Sequence, residues 1–250
     1  MTEMPQSCEE FARERLANRA IKDSTYREYM ATLRALNLTD VPYEWATLAM
    51  LTSRLQRVIN PGTRRKHAIN LRATLGVKVP CPRAVQKVYI LPDNDVLHEA
   101  LAASAYAMYG FSMLYAGMRL GESCIKQPQN QSILNIDRQR RADGTITAAK
   151  TIGPVYVPQW FADAYKDFKP HHATNTVYIG IRRACKKTGI TLNPHMLRHA
   201  FATNLVNAGA TPEVLRRQMR HHDVAVSLRY YVQTTEADIT KVVNAIGGDR

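Results

Sequence analysis

Between His195 and Tyr231 the chain gathers imidazoles, guanidinium groups and phenols, with few carboxylates among them. The stretch reads His195-Met196-Leu197-Arg198-His199, then Arg220-His221-His222, then Arg229-Tyr230-Tyr231. These groups suit attack by a phenol on a phosphodiester. Without a metal, that reaction needs fixed cations around the non-bridging oxygens, and the planar fork of arginine supplies them well. A phenol with a pKa of about 10 needs help to lose its proton, and the leaving oxygen needs a general acid. Arg119, Lys150, His195, Arg198, His221 and Tyr230 include a candidate for every part.

A metal centre fits less well. His195 and His199 are four apart and could share an ion. The glutamate of a metalloprotease HExxH does not follow His195, and no nearby Cys or acid completes a shell. Arginines beside the pair would repel a dication. The expectation is chemistry without metal or other cofactor.

The elements that must position these groups can be read in order. Ser7-x-x-Glu10 signals a helix to about Ala20, and Thr25-x-x-Glu28 a second through Ala35. A third is expected from Tyr43 to Ile59, with Trp45, Leu48, Leu51 and Leu55 at helical spacing. Asn60-Pro61 is an N-cap with an N1 proline, opening a fourth helix to Leu75. Residues 1–79 therefore form a small helical bundle. Pro80 and Pro82 break the period, so 80–91 is taken as a linker and 92–250 as a second domain.

In the second domain, Pro92-Asp93 starts a helix with Val96, Leu97, Ala100 and Leu101 inward, and another ends near Gly117. Three short antiparallel strands are expected at Ile133–Ile136, Thr145–Thr147 and Val155–Val157. Asp143-Gly144 would make the first turn and Lys150–Pro154 the second. By chemistry alone Lys150 is one more loop lysine. Further helices are expected at Trp160–Asp167, Asn175–Lys187, Met196–Ala208, Thr211–Met219, Val224–Tyr231 and Thr235–Ile246. The fold class is mainly α with a small antiparallel sheet.

Charge points to the partner. The 250 residues carry a formal charge of +13, which suggests a polyanion, with nucleic acid ahead of an anionic membrane. From Trp45 to Pro92 there is no Asp or Glu, while Arg54, Arg57, Arg64, Arg65, Lys66, Arg72, Lys78, Arg83 and Lys87 all fall there. Such a window suits tracking of phosphates. Ala100 to Met118 is uncharged and long enough to span a bilayer, but its Ala, Tyr, Ser, Gly and Met content favours buried helices. The acidic N-terminus lacks an apolar run, so no signal peptide is expected. Cys8, Cys81, Cys124 and Cys185 form no metal or disulfide pattern and read as reduced core thiols of a cytoplasmic protein.

With these residues in view, the chain resembles the tyrosine recombinase (phage integrase, Xer-type) family. Gly117-Met118-Arg119-Leu120-Gly121-Glu122 looks like that family's G-x-R-x-x-E box, and His195-Met196-Leu197-Arg198-His199 matches H-x-L-R-H. His221 and Tyr230 stand nine apart, as the family pattern asks, and Lys150 precedes a Val-Pro strand end. The resemblance implies an N-terminal core-binding (SAM-like) bundle and a catalytic domain. It implies that Tyr230 attacks the scissile phosphate, leaving a 3′-phosphotyrosine and a free 5′-hydroxyl. Arg119 and Arg198 would hold the non-bridging oxygens, and His195 would assist proton movement. His221 would hydrogen-bond the phosphate and Lys150 protonate the leaving oxygen, with Glu122 and His199 in support. Neither ATP nor metal is then needed.

The same resemblance implies a core site in duplex DNA and a homotetramer joined by exchange of C-terminal helices. An accessory directionality factor and a prokaryotic or viral origin fit it, with no membrane partner. The length leaves no room for an arm-binding domain, so a simple-site integrase or Xer-like resolvase is expected. The sequence departs from the family in three places. Met219-Arg220-His221 stands where the family has L-G-H, His222 and Tyr231 are also nine apart, and the hairpin lacks Gly-Lys-Gly. Tyr230 is preferred because it follows a basic residue. A type IB topoisomerase, a telomere resolvase, or a non-catalytic DNA binder would share much of this pattern.

Overall fold

The computed structural model describes residues 5–81, 91–223 and 225. Residues 1–87 and 88–250 form two units. Most of the expected linker, 82–90, lies outside the described residues, as do Tyr230, Tyr231 and the expected helix at 235–246.

In the first unit local capping decides most helix ends. Ser7 and Glu10 form a reciprocal capping box that opens α1 (Cys8–Ala17). The second helix, α2 (Asp23–Ala35), starts ahead of the expected Thr25 cap, and Lys22 caps it without a side-chain bond. The expected single helix from Tyr43 to Ile59 is interrupted. Tyr43–Trp45 is a 3₁₀ turn, and Thr47 then accepts from Met50 N to open α3 (Leu48–Gln56). The side-chain cap at Thr47 outcompetes continuation through Ala46. Leu51 and Leu55 face the core, whereas Trp45 and Leu48 are exposed. Asn60 accepts from Thr63 N and opens α4 (Pro61–Thr74). The core joins Leu16, Leu33, Leu51, Leu55 and Leu71. It also holds one polar bridge, in which Asn70 Nδ2 donates to Thr32 Oγ1 at 2.8 Å.

The second unit packs helices around one small sheet. The helices α5 (Asn94–Ala102) and α6 (Ala107–Tyr115) divide the long uncharged stretch. Among the described residues no helix is long and apolar enough to cross a membrane. Leu97, Ala100 and Leu101 are buried, but Val96 is exposed, contrary to its expected inward position. A one-turn helix, α7 (Leu120–Ser123), follows Arg119. Then come β1 (Gln129–Asn130), β2 (Ile133–Arg140) and β3 (Ile146–Tyr156), antiparallel in the order β1-β2-β3.

The sheet corrects the expected strands. Thr145–Thr147 and Val155–Val157 do not make separate strands with a turn at Lys150–Pro154, because one strand, β3, runs through. Its pairing is interrupted instead. Ile136 pairs with Gly153 and Arg138 with Ala148, so Asp137 alone stands opposite Ala149, Lys150, Thr151 and Ile152. The turn-forming residues thus make a bulge, and Pro154, which has no N–H to donate, is tolerated on an edge strand. The first turn is as expected. Gly144 takes a φ of 86°, and Asp143 accepts from the N and Oγ1 of Thr145.

Among the described residues four helices follow: α8 (Gln159–Asp167), α9 (Thr174–Lys187), α10 (His195–Asn207) and α11 (Pro212–Met219). Thr211 accepts from Val214 N to cap α11. Tyr109, Phe161 and Tyr165 lie at the centre of the core with Leu97, Leu101 and Leu114. The cysteines split: Cys8, Cys124 and Cys185 are buried, but Cys81 is exposed, since it follows the bundle's last packed residue, Val79.

Gly117 is both left-handed and crowded. It takes a φ of 55°, and an added Cβ would lie 2.4 Å from Phe201 Cδ1. Strain and overpacking act together there. Gly117→Ala is expected to lower stability by roughly 2 to 4 kcal/mol in urea unfolding, whereas Gly144→Ala, in open space, loses only the left-handed penalty of about 1 to 2 kcal/mol.

Candidate active site

The candidate site is built where α7, α10, α11 and the β3 bulge meet. Arg198, on the first turns of α10, is buried. Its guanidinium donates to the carbonyl of Gly117, and to that of Met219 at 2.5 Å. One side chain therefore ties down the backbone just ahead of Arg119 and just ahead of Arg220. The close approach on the other side also depends on a glycine. An added Cβ at Gly121 would stand 2.6 Å from the carbonyl oxygen of Arg140 in β2.

Glu122 is the anion in this cluster and is wholly buried. Its Oε2 accepts from Arg119 N at 2.8 Å, which closes the first turn of α7. Its Oε1 accepts from Arg119 Nη1, also at 2.8 Å. Arg119 Nη1 donates as well to Thr151 Oγ1, at 3.0 Å, in the bulge. The Arg119 side chain stays 25% exposed, so it can still meet an anion from outside.

Arg220 joins the same carboxylate from α11. Its Nη2 donates to Glu122 Oε2 at 2.6 Å, and its side chain is only 2% exposed. Its backbone is left-handed, with φ 52° and ψ 45°. Glycine takes that conformation freely, which accounts for the glycine of the family's L-G-H box, and an arginine there costs about 1 to 2 kcal/mol. Sequence reasoning noted Arg220 only as a departure. A large residue at a glycine position was the available signal. Thr151 carried no signal beyond being next to Lys150.

The imidazoles are held neutral. Partial desolvation first, then His199, Arg198 and Arg119, hold His195 down at about 4, with Glu122 opposing. His221 is likewise pushed to about 4, by burial and then by Arg198, Arg119, Arg220 and His199. Burial and then Arg198 lower His199. The rings of His195 and His199 meet edge to face with centroids 5.2 Å apart. A neutral imidazole beside fixed cations can take a proton from a phenol or share one with an incoming phosphate.

Lys150 is exposed and lines a cleft of about 690 Å³ together with Thr151, Arg216, Arg217, Arg220 and His221. The structure thus groups Arg119, Glu122, His195, Arg198, His199 and His221, and brings Lys150 and His221 to one cleft. Tyr230 lies outside the described residues. Among the described residues no three His, Cys, Asp or Glu side chains stand close enough to hold a metal ion.

In the first unit, the acid-free window is not free of counter-charge in three dimensions. Lys66 pairs with Glu28 of α2 at 3.0 Å. Arg54 caps the end of α2, donating to Leu36 O at 2.7 Å and to Asn37 O, and Arg64 donates twice to Val58 O. Arg65 Nη1 reaches Cys81 Sγ at 3.8 Å. Arg57 and Arg72 are exposed. Arg83 and Lys87 lie outside the described residues.

A mainly helical unit that carries a three-stranded sheet and packs arginines around one acid is the integrase-like fold. The model of the phage integrase family matches residues 162–237. The Tn1549 transposon integrase, solved with transposon right-end DNA, superposes with a TM-score of 0.75 at 17% identity, covering 97% of this chain and 100% of that one. A dimer of lambda integrase on a core site gives 0.64 at 16% identity, over 87% and 91%. In sequence, the transposase of Tn916 from Enterococcus faecalis is 46% identical over 44 residues, 18% of this chain and 11% of that relative. Tyrosine recombinase XerA of Pyrococcus furiosus is 25% identical over 132 residues, 50% and 41%. The matched segments thus span about a tenth to two fifths of those curated relatives' lengths. Over residues 162–237 the chain thus matches the phage integrase family, and its fold is that of the solved integrases.

The depressed imidazoles make a pH prediction. Both His195 and His221 have folded values of about 4, below the ordinary 6.5. Between those values the unfolded chain binds more protons, so stability is complete above about 6.5 and falls as the pH drops towards 4. Thermal melts across that window should show a falling Tm, with a shallower slope in His221→Asn. A slope equal to the parent's would mean that the ring titrates normally.

Proposed function

We propose that this chain is a site-specific DNA recombinase that cuts and rejoins duplex DNA through a 3′-phosphotyrosine. The observation that carries the reading is the cluster of Arg119, Arg198, His195 and His221, with Glu122 buried against Arg119, beside a cleft edged by Lys150.

In this reading Arg119 and Arg198 take the non-bridging oxygens and stabilise the charge that builds in the transition state. For Arg198 this requires the guanidinium to offer N–H groups beyond the two held by backbone carbonyls, and a guanidinium has five. His195, neutral at physiological pH, accepts the phenol proton as Tyr230 attacks phosphorus. The P–O5′ bond breaks, Lys150 donates the proton to the departing oxygen, and His221 donates a hydrogen bond to the phosphate. The phosphotyrosine keeps the bond energy for religation, so the reaction draws on neither nucleotide nor metal. Glu122 and His199 position these groups.

DNA is the natural partner of a chain with net charge +13. The first unit acts as a clamp on the core site, with Arg57 and Arg72 on phosphates and Arg54, Arg64, Arg65 and Lys66 shaping the same surface. Recombination joins two duplexes, so four protomers assemble on DNA, linked by C-terminal segments, in a prokaryotic cytoplasm on the nucleoid. A directionality factor would bias the reaction. The lambda integrase dimer on its core site supports assembly on DNA.

A nicked suicide duplex tests the chemistry. A covalent protein–DNA adduct on a denaturing gel should form with the parent and with Tyr231→Phe, and vanish with Tyr230→Phe. The reverse pattern moves the nucleophile, and no adduct at all removes the recombinase reading. Truncation after Thr234 should impair recombination more than DNA binding. Equal loss of both would refute the C-terminal link.

A further inference from the structure

The family chemistry asks for two arginines, yet a third guanidinium reaches the same carboxylate. Glu122 offers one oxygen to Arg119 Nη1 and the other to Arg220 Nη2. A carboxylate paired with Arg119 alone would cancel much of the charge that Arg119 presents to a phosphate. Sharing Glu122 between two arginines leaves that trio with a net positive charge. We propose that Arg220 is a positioning residue for strand cleavage: by holding half of the Glu122 carboxylate, it keeps Arg119 oriented and electropositive toward the scissile phosphate. This inference rests on the recombinase reading above.

Three independent features support it. The first is the backbone. Residue 220 is left-handed, and the cap would be made at least as well by glycine. The arginine is therefore not there to end the helix. The second is the burial of an incompletely paired cation. Nε and Nη1 of Arg220 are buried without a hydrogen-bond partner among the described residues. Among the described residues one bond holds this buried cation, which makes it a poor stabilising device, so its presence calls for another explanation. The third is placement. A Cβ added at Gly153 would lie 3.8 Å from Arg220 Cγ and Cδ, so the stem runs over the strand just past the bulge that carries Lys150 and Thr151. Thr151 is also the second partner of Arg119. Arg220 thus touches the carboxylate that orients Arg119 and the strand that supplies its other partner.

The test uses the full chain with Arg220→Gly, Arg220→Lys and the double variant Arg220→Gly with Glu122→Gln. Glycine suits the backbone, so the first variant should melt no lower than the parent by more than the lost ion pair. On a nicked suicide duplex, its single-turnover adduct rate should fall by about tenfold or more, while affinity for uncut core-site DNA on native gels changes by less than about threefold. Lysine keeps the charge without the fork and should recover part of the rate. The double variant removes the carboxylate left to Arg119 alone and should recover more than Arg220→Gly does. Parental rates in Arg220→Gly, or no recovery in the double variant, overturn the inference.

A second readout needs no cleavage. The His221 ring faces Arg198, Arg119, Arg220 and His199, and its titration can be followed by NMR. Loss of the Arg220 charge should move it to higher pH in Arg220→Gly but not in Arg220→Lys. An unmoved titration overturns the inference on its own. If the parent forms no adduct, the recombinase reading fails, while the His221 titration still decides whether Arg220 sets the charge of this cluster.

Discussion

Cations packed within hydrogen-bond reach of one another repel, and in a buried setting the repulsion is poorly screened. Glu122 is what allows Arg119 and Arg220 to share one wall of the site. It is wholly buried and sits on the one-turn helix that Arg119 itself begins. The carboxylate is the electrostatic glue of the cluster and stands only three residues along the chain from the arginine it orients. Arg198 does the complementary work through the backbone, since its two carbonyl partners precede Arg119 and Arg220 in the chain. Side-chain and main-chain ties thus converge on the same two arginines.

The glycines follow from this crowding. Gly117 turns the chain where Phe201 leaves no room for a Cβ, and Gly121 lets α7 press on the carbonyl of Arg140. Both lie in the same six-residue motif as Arg119 and Glu122, so one short segment carries the turn, the close approach, the cation and its anion. Burial first, and then these cations, holds the pKa values of His195 and His221 down.

Much of this was legible from local rules. The caps at Ser7, Asn60 and Thr211 lie where the sequence puts them, since capping is decided by neighbours along the chain. The G-x-R-x-x-E spacing foretold the Arg119–Glu122 pair, because three residues bring N-cap and N3 together. Non-local contacts were hidden. Lys150 to Pro154 looks like a turn, and only pairing with β2 shows that those residues bulge within one strand. The exposure of Trp45 and Leu48 reflects a cap at Thr47 that periodicity ignores. The acid-free window looked uncompensated because Glu28, the partner of Lys66, lies on another helix. Arg220 was visible as a letter out of place, but its tie to Glu122 spans nearly a hundred residues.

The bulge has a further consequence, for the chain away from its substrate. β3 is an outer strand, and it displays Ile146, Ile152 and Tyr156 to solvent. A straight apolar margin of that kind invites a second copy to zip alongside and seed aggregates. Here the irregular pairing bends the margin, Pro154 interrupts its row of donors, and Gln218 accepts from the N–H of Tyr156 at 3.2 Å. The kink that carries Lys150 thereby also breaks the regular row of backbone groups along the sheet's open margin.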